Sequence, residues 1–354
     1  MNSVFGERIK ISLFGESHQK YIGLTIHNFP AGIVLDYEKI NRALEKRRPK
    51  GKISTPRVED DKYEFISGIF NDTTTGAPLT VIIENSNVVS KAYNKGKARP
   101  SHVDLVAHEK FNGFEDYRGS GHFSGRITAP LVILGALCEQ LLNKKGIIVT
   151  SHIYSINDIF DDELNFNDPK QIETLLNKDF PVLNENKGKN MISRIEDTAK
   201  DGDSVGGIVE SVILNLPVGL GEPFFDSLES IISHLMFSIG GVKGVLFGAG
   251  INFASAKGSE INDSIRYKDD KVVYQTNNNG GIVGGISNSA PVVFKSIIRP
   301  TPSISKTQES IDFLTKENVT LKIHGRHDPC IVHRVREVID ALSKYAIVEM
   351  LYRM

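Results

Sequence analysis

A mixed α and β fold, of either the α/β or the α+β class, is what this sequence predicts, and three observations predict it. Short runs of β character recur along the chain, stretches of helical period lie between them, and the composition suits neither disorder nor a fibre. At 354 residues the chain can bury roughly three quarters of its unfolded surface. That allows one large domain or two modest ones without covalent staples. The 40% hydrophobic and 24% charged residues, with 31 glycines and 14 prolines, are ordinary for a globular protein. Its 42 basic and 43 acidic side chains leave a formal charge of −1, so no global field marks it for nucleic acid or an anionic membrane. Cys138 and Cys330 are too few for a disulfide framework.

Strands are expected over residues 8–14, 23–28, 63–70, 79–84, 146–154, 206–216, 245–253 and 291–298. Residues 35–48 place Leu35, Ile40 and Leu44 on one face, and residues 225–239 repeat Leu228, Ile231, Ile232, Leu235 and Met236 at helical spacing. Both helices should pack by one face. Residues 127–142 are apolar nearly all round, which indicates burial on several sides. The apolar run inside them is about 13 residues and holds Glu139 and Gln140, too short and too polar for roughly 30 Å of hydrocarbon. Residues 332–351 form a last helical candidate, whereas the polar stretch 184–203 reads as an exposed loop or insertion. Glu7, Arg8 and Lys10 leave no apolar core for a secretory signal, so the cytoplasm is the expected compartment.

Three groups of residues suggest chemistry. Arg118-Gly-Ser-Gly-His-Phe-Ser-Gly-Arg126 opens into the apolar helix, where glycines could bring backbone N–H groups to an anion. Its spacing misses the dinucleotide fingerprint by one residue and no strand precedes it, so a plain glycine-rich helix start competes with an anion site. Residues 38–57 carry eight basic side chains (Lys39, Arg42, Lys46, Arg47, Arg48, Lys50, Lys52 and Arg57) against Glu38 and Glu45, and residues 90–102 add Lys91, Lys95, Lys97 and Arg99. A solvated face, a nucleic-acid arm and a pocket for a multiply charged small anion all fit such runs. Tyr93 is their only aromatic, so stacking platforms for bases are missing. His324, His327, Cys330 and His333 are all possible zinc ligands, but they do not form two separate pairs, and Asp328-Pro329 interrupts any shared helical face. No metal is expected.

Nine short motifs make these pieces specific together: Gly15-Glu-Ser-His18, Lys46-Arg-Arg-Pro49, Ile53-Ser-Thr-Pro-Arg57, Arg99-Pro-Ser-His-Val-Asp104, Asp116-Tyr-Arg-Gly119, Gly221-Glu-Pro-Phe224, Val242-Lys-Gly244, Gly280-Gly-Ile-Val-Gly-Gly-Ile-Ser287 and Gly325-Arg-His-Asp-Pro-Cys330. In order and spacing the sequence resembles the chorismate synthase family from about residue 5 to residue 351. The resemblance implies a single domain over 1–354, an α+β sandwich with helices packed between two antiparallel sheets, and a homotetramer. It implies a shikimate-pathway lyase that converts 5-enolpyruvylshikimate 3-phosphate to chorismate and phosphate with reduced FMN that is not consumed. NADPH or an external reductase would keep that flavin reduced. Neither a nucleic-acid nor a membrane partner is expected.

By resemblance His18 protonates the leaving phosphate, His102 protonates or holds the reduced flavin, and Asp328 relays a proton beside it. Arg47, Lys52, Arg99 and Arg126 would hold the substrate anions. The flavin site would take His122, Phe123, Ser124, Gly240, Gly241, Gly284, Arg299, Pro300, Thr301, Pro302, Ser303 and Arg326. The chain departs from the best-known family pattern at His122 (Arg there), Ile127 (an acid), Lys52 (Arg), Asn278 (His) and Gln19 (Gly). A noncatalytic protein that binds FMN or phosphorylated metabolites is the rival reading. Binding alone does not require His18, His102 and Asp328 together, which favours the enzyme.

Overall fold

A computed structural model describes residues 2–55, 60–86, 95–166, 168–323 and 327–354. Alternating apolar residues build its first sheet. Strand Tyr21–Ile26 pairs antiparallel with Ile11–Gly15 and with Leu79–Glu84, in registers that set Ile22 opposite Ile83, Leu24 opposite Val81 and Ile26 opposite Leu79. All six side chains are buried, so the period-2 pattern supplies one face of the core. Val4–Phe5 and Tyr63–Ser67 complete this five-stranded sheet at its edges.

The second sheet runs in the order Val242–Phe247, Val292–Ile298, Gly207–Leu214, Ile148–Ile156 and Ile159–Phe160, again antiparallel throughout. Two antiparallel sheets, with no parallel crossover among the described residues, resolve the class as α+β. Between them lies the central helix Ala129–Asn143, against which Tyr37–Arg47 and the C-terminal helix Val332–Leu351 pack. The central helix touches strands of both sheets, which explains why its sequence is apolar nearly all round. One apolar core runs through both sheets and these helices.

The two long helices cross closely at Gly135. A Cβ there would lie 2.4 Å from both the Cα and the Cβ of Ala341, so only glycine permits this approach. The C-terminal helix also carries charge into the interior. Arg336 donates to Glu337 at 2.7 Å and to the backbone oxygen of Ser151 at 3.3 Å, while Lys344 donates to Glu139 at 2.5 Å. Paired in this way, such charges avoid the full cost of burial.

Residues 184–203 are not the loop or insertion that their polarity suggests. They form helix Glu185–Lys200, capped by the Asn184 side chain, which accepts from the Asn186 and Lys187 backbone N–H groups. Met191 and Ile195, four residues apart, bury one narrow stripe, and the remaining faces stay polar. The strand expected over 245–253 ends at Phe247, because Gly248 and Gly250 adopt positive φ and turn the chain into a short 3₁₀ segment, Gly250–Ala254.

Candidate active site

A cavity of about 1460 Å³ opens where the N-terminal segment, residues 95–128, the turns at 239–243 and 299–303, and residues 327–335 meet. Pockets for a single small ligand are commonly ~300–1,000 Å³, so this one has room for two. Its lining includes the apolar Phe5, Leu13, Phe111, Leu131 and Val338. Lys95, Lys97, Arg99, Lys243, Arg299 and Lys322 also line it, so a protein of formal charge −1 concentrates cations in one place.

His18 follows strand Ile11–Gly15. Its Nδ1 lies 3.1 Å from Ser17 Oγ, and that hydroxyl donates its proton to the backbone oxygen of Gly119 at 2.9 Å. Ser17 therefore accepts from His18, which puts a ring proton on Nδ1. Gly119, Ser120 and Gly121 all have positive φ, and a Cβ at Gly119 would fall 2.2 Å from His18 Cε1. The glycine-rich turn thus leaves the space that the histidine ring occupies. Ser124 caps the following turn, Gly125–Thr128, through the Arg126 N–H, and leads into the central helix.

His102 lies just before helix Asp104–Lys110. Its Nε2 is 3.1 Å from Ser120 Oγ and its Nδ1 is 2.9 Å from Asp104 Oδ1. Arg99 clasps the same Asp104 carboxylate through Nε and Nη2, each at 2.7 Å, and donates to Ser303 Oγ at 3.1 Å. Burial pushes the Asp104 carboxyl up, but the Arg99 fork and His102 outweigh it and hold it well below the usual carboxylate range. Asp328 accepts from the Thr55 backbone N–H at 2.8 Å with one oxygen and from Arg334 at 2.6 Å with the other.

Arg47 and Arg126 are buried and share the buried carboxylate of Asp61. Arg47 also donates to Thr128 Oγ1 and the Gly125 oxygen, and Arg126 donates to Asn85 Oδ1. Both line the cavity. His122 lines it too, yet its nitrogens already meet the Gly15 backbone oxygen at 2.7 Å and Ser3 Oγ at 3.1 Å, so it ties the N-terminal strands to the turn.

Of the residues singled out from sequence, the cavity gathers His18, His102, Asp328, Arg47, Arg99 and Arg126. It also gathers His122, Phe123, Ser124, Gly240, Gly241, Arg299, Pro300, Thr301, Pro302 and Ser303. Two stand elsewhere: Lys52 is exposed on the turn Gly51–Ile53, and Gly284 sits in the hairpin between Ile282–Val283 and Ile286–Ser287 with open space beside it. Arg326, His324 and Arg57 lie outside the described residues. The first basic run divides, because Arg42, Lys46 and Lys50 reach out to Asn177, the Leu176 oxygen and Asp179. Asp61 and Arg334 had no sequence signal, whereas Ser17 and Ser120 stood inside quoted motifs without being singled out. Asp104 stood inside a quoted motif, two residues after His102.

The chorismate synthase family model matches residues 9–352. A chorismate synthase from Korarchaeum cryptofilum is 39% identical over 353 residues, covering 99% of this chain and 97% of that protein. Those from Dehalococcoides mccartyi strain BAV1 and Chitinophaga pinensis are 40% and 41% identical, covering 100% and 99% of this chain and 97% and 96% of theirs. A crystal structure of a chorismate synthase superposes with a TM-score of 0.77 at 24% identity, covering 99% of this chain and 93% of that one.

Proposed function

The chain belongs to the chorismate synthase family, and on that premise we propose which of its residues carry out the family's reaction. It is a lyase of the shikimate pathway that eliminates phosphate and a ring hydrogen from 5-enolpyruvylshikimate 3-phosphate, in a family that depends on reduced flavin. The cavity's residues suit both molecules. Its volume exceeds what one small ligand needs, its apolar lining residues fit a planar ring system, and cations fit a substrate phosphate, two carboxylates and a flavin phosphate. At Gly240 the backbone is open, with nothing within 4 Å of where a Cβ would stand.

In this reading Arg47, Arg99 and Arg126 hold the substrate anions. His122, Phe123, Ser124, Gly240, Gly241, Arg299 and residues 300–303 line the FMN site. Bound reduced FMN supplies transient electron density, which a side-chain base cannot provide for a weakly acidic ring hydrogen. His18 protonates the departing phosphate, with its ring held by Ser17. His102 stabilises the anionic charge of the cofactor, and Asp328 relays the displaced proton outward. The observation that carries the reading is the convergence of His18, His102 and Asp328, more than 300 positions apart at the extremes, on one cation-lined cavity.

The test is an anaerobic assay with 5-enolpyruvylshikimate 3-phosphate and chemically reduced FMN. Phosphate and chorismate should appear in equal amounts over many turnovers per flavin, and oxidised FMN should support none. Product that stops after one equivalent, with oxidised flavin accumulating, would make this a net oxidoreductase. Binding without any phosphate release would favour the noncatalytic alternative. We also propose a homotetramer of single-domain protomers in the cytoplasm, with FMN reduced by NADPH or an external reductase. The assembly is supported by the exposure of Ile265 and Tyr267 on one hairpin, at 53% and 82%, and of Ile251 in the segment Gly250–Ala254, at 73%.

A further inference from the structure

We propose that Asp104 is a positioning residue that sets His102 and Arg99 as one unit, fixing the ring proton of His102 on Nδ1 and leaving Nε2 as the nitrogen that exchanges protons. The proposal rests on the reading of His102 and Arg99 given above. Residues 99–104 fold back on themselves: the His102 N–H donates to the Arg99 backbone oxygen at 3.1 Å, and the Arg99 N–H donates to Asp104 Oδ2 at 3.0 Å. This closes the turn so that one carboxylate faces both side chains. Asp104 Oδ2 takes Arg99 Nε, while Oδ1 takes Arg99 Nη2 and faces His102 Nδ1 at 2.9 Å.

The pair is too bent for a regular hydrogen bond, but a nitrogen lone pair 2.9 Å from a carboxylate oxygen is still repelled, whereas an N–H is attracted. Nδ1 therefore carries a proton in both charge states of the ring. The proton that comes and goes is on Nε2, which meets Ser120 Oγ at 3.1 Å. Ser120 holds that position with φ of +70°, a left-handed conformation that serine seldom adopts, and its hydroxyl also lies 3.5 Å from Arg99 Nη2. The side chains of Arg99, His102 and Asp104 are each about 15% exposed, so water does little to screen the pairing.

Two measurements test this. In the wild-type protein, ¹⁵N imidazole spectra assigned by comparison with His102→Ala should show neutral His102 protonated on Nδ1. A neutral ring protonated on Nε2 overturns the proposal, whether or not any Asp104 variant folds. In the assay above, Asp104→Asn should lower kcat by about 10²-fold, near the lower end for a positioned acid, and raise KM through Arg99. In a His102→Ala background the same change should lower kcat less than threefold while the rise in KM persists, because the kcat effect passes through His102. An equal loss of kcat in both backgrounds, or none in the wild type, would sink the idea. Failure of the wild-type enzyme to release phosphate would instead sink the functional reading and leave the ring-proton result standing.

Discussion

The space His18 occupies exists because residue 119 has no side chain. A Cβ on Gly119 would fall 2.2 Å from Cε1 and 2.4 Å from Nδ1 of the ring, and φ of +57° disfavours any side chain there. Gly119→Ala must therefore displace the histidine, while the apolar core is untouched. Turnover should fall by about 10² to 10⁴, like that of His18→Ala, since both remove a positioned acid. Far-UV circular dichroism should stay the same for both. Wild-type turnover in either variant would remove His18 from the mechanism. His122 acts at the same scale but in another way. An arginine there could not reproduce a ring that accepts or donates at Ser3 and donates to the Gly15 oxygen, so His122→Arg should disturb the N-terminal strands as well as flavin affinity.

Among the elements, the crossing of the central and C-terminal helices is the sharpest test of packing. Alanine has the better helix propensity, by about 1 kcal/mol. Against this, a methyl at Gly135 would press into the backbone of Ala341, which no rotamer change relieves. Overpacking of this kind typically costs ~1–3 kcal/mol, so Gly135→Ala should lower the denaturant midpoint without changing the slope of the transition. A raised midpoint would show that the helices can part at little cost. These elements were legible to different degrees. The alternation in Tyr21–Ile26 and the nearly continuous apolar run of Ala129–Asn143 state their burial directly, because the first has one buried face and the second is enclosed. Helix Glu185–Lys200 was hidden because Met191 and Ile195 are its only large buried side chains, too few to outweigh sixteen mainly polar positions. The site was legible where its residues are contiguous in sequence, as in the turn before Arg126. The pairing of Arg47 and Arg126 on Asp61 was not, since no local periodicity relates three side chains from separate loops and a helix end.

At the scale of the whole molecule, two buried histidines shape the dependence of stability on pH, and they act on opposite sides of neutrality. His333 is buried with Nε2 2.6 Å from Ser54 Oγ. Burial, with Arg334 and Lys50 nearby, pushes its pKa down to about 3. An unfolded histidine titrates near 6.5, so below that pH the unfolded chain holds a proton that the folded chain refuses, and stability falls as pH drops toward 3. His152 is the reverse case. Burial alone would lower its pKa, but Asp161 at Nδ1 and Glu210 at Nε2, each at 2.9 Å, outweigh that and raise it. Its contribution is complete below about pH 6.5 and is lost as pH rises through the raised value. Urea unfolding between pH 5 and pH 8 should therefore show greatest stability near 6.5, with each limb sloping by at most about 1.4 kcal/mol per pH unit for its one proton. His333→Gln should flatten the acid limb alone, and His152→Gln the alkaline limb alone. If His333→Gln left the slope between pH 5 and 6.5 unchanged, His333 would not be held neutral by its burial, because the paired carboxylates, with pKa values lowered, titrate below that window.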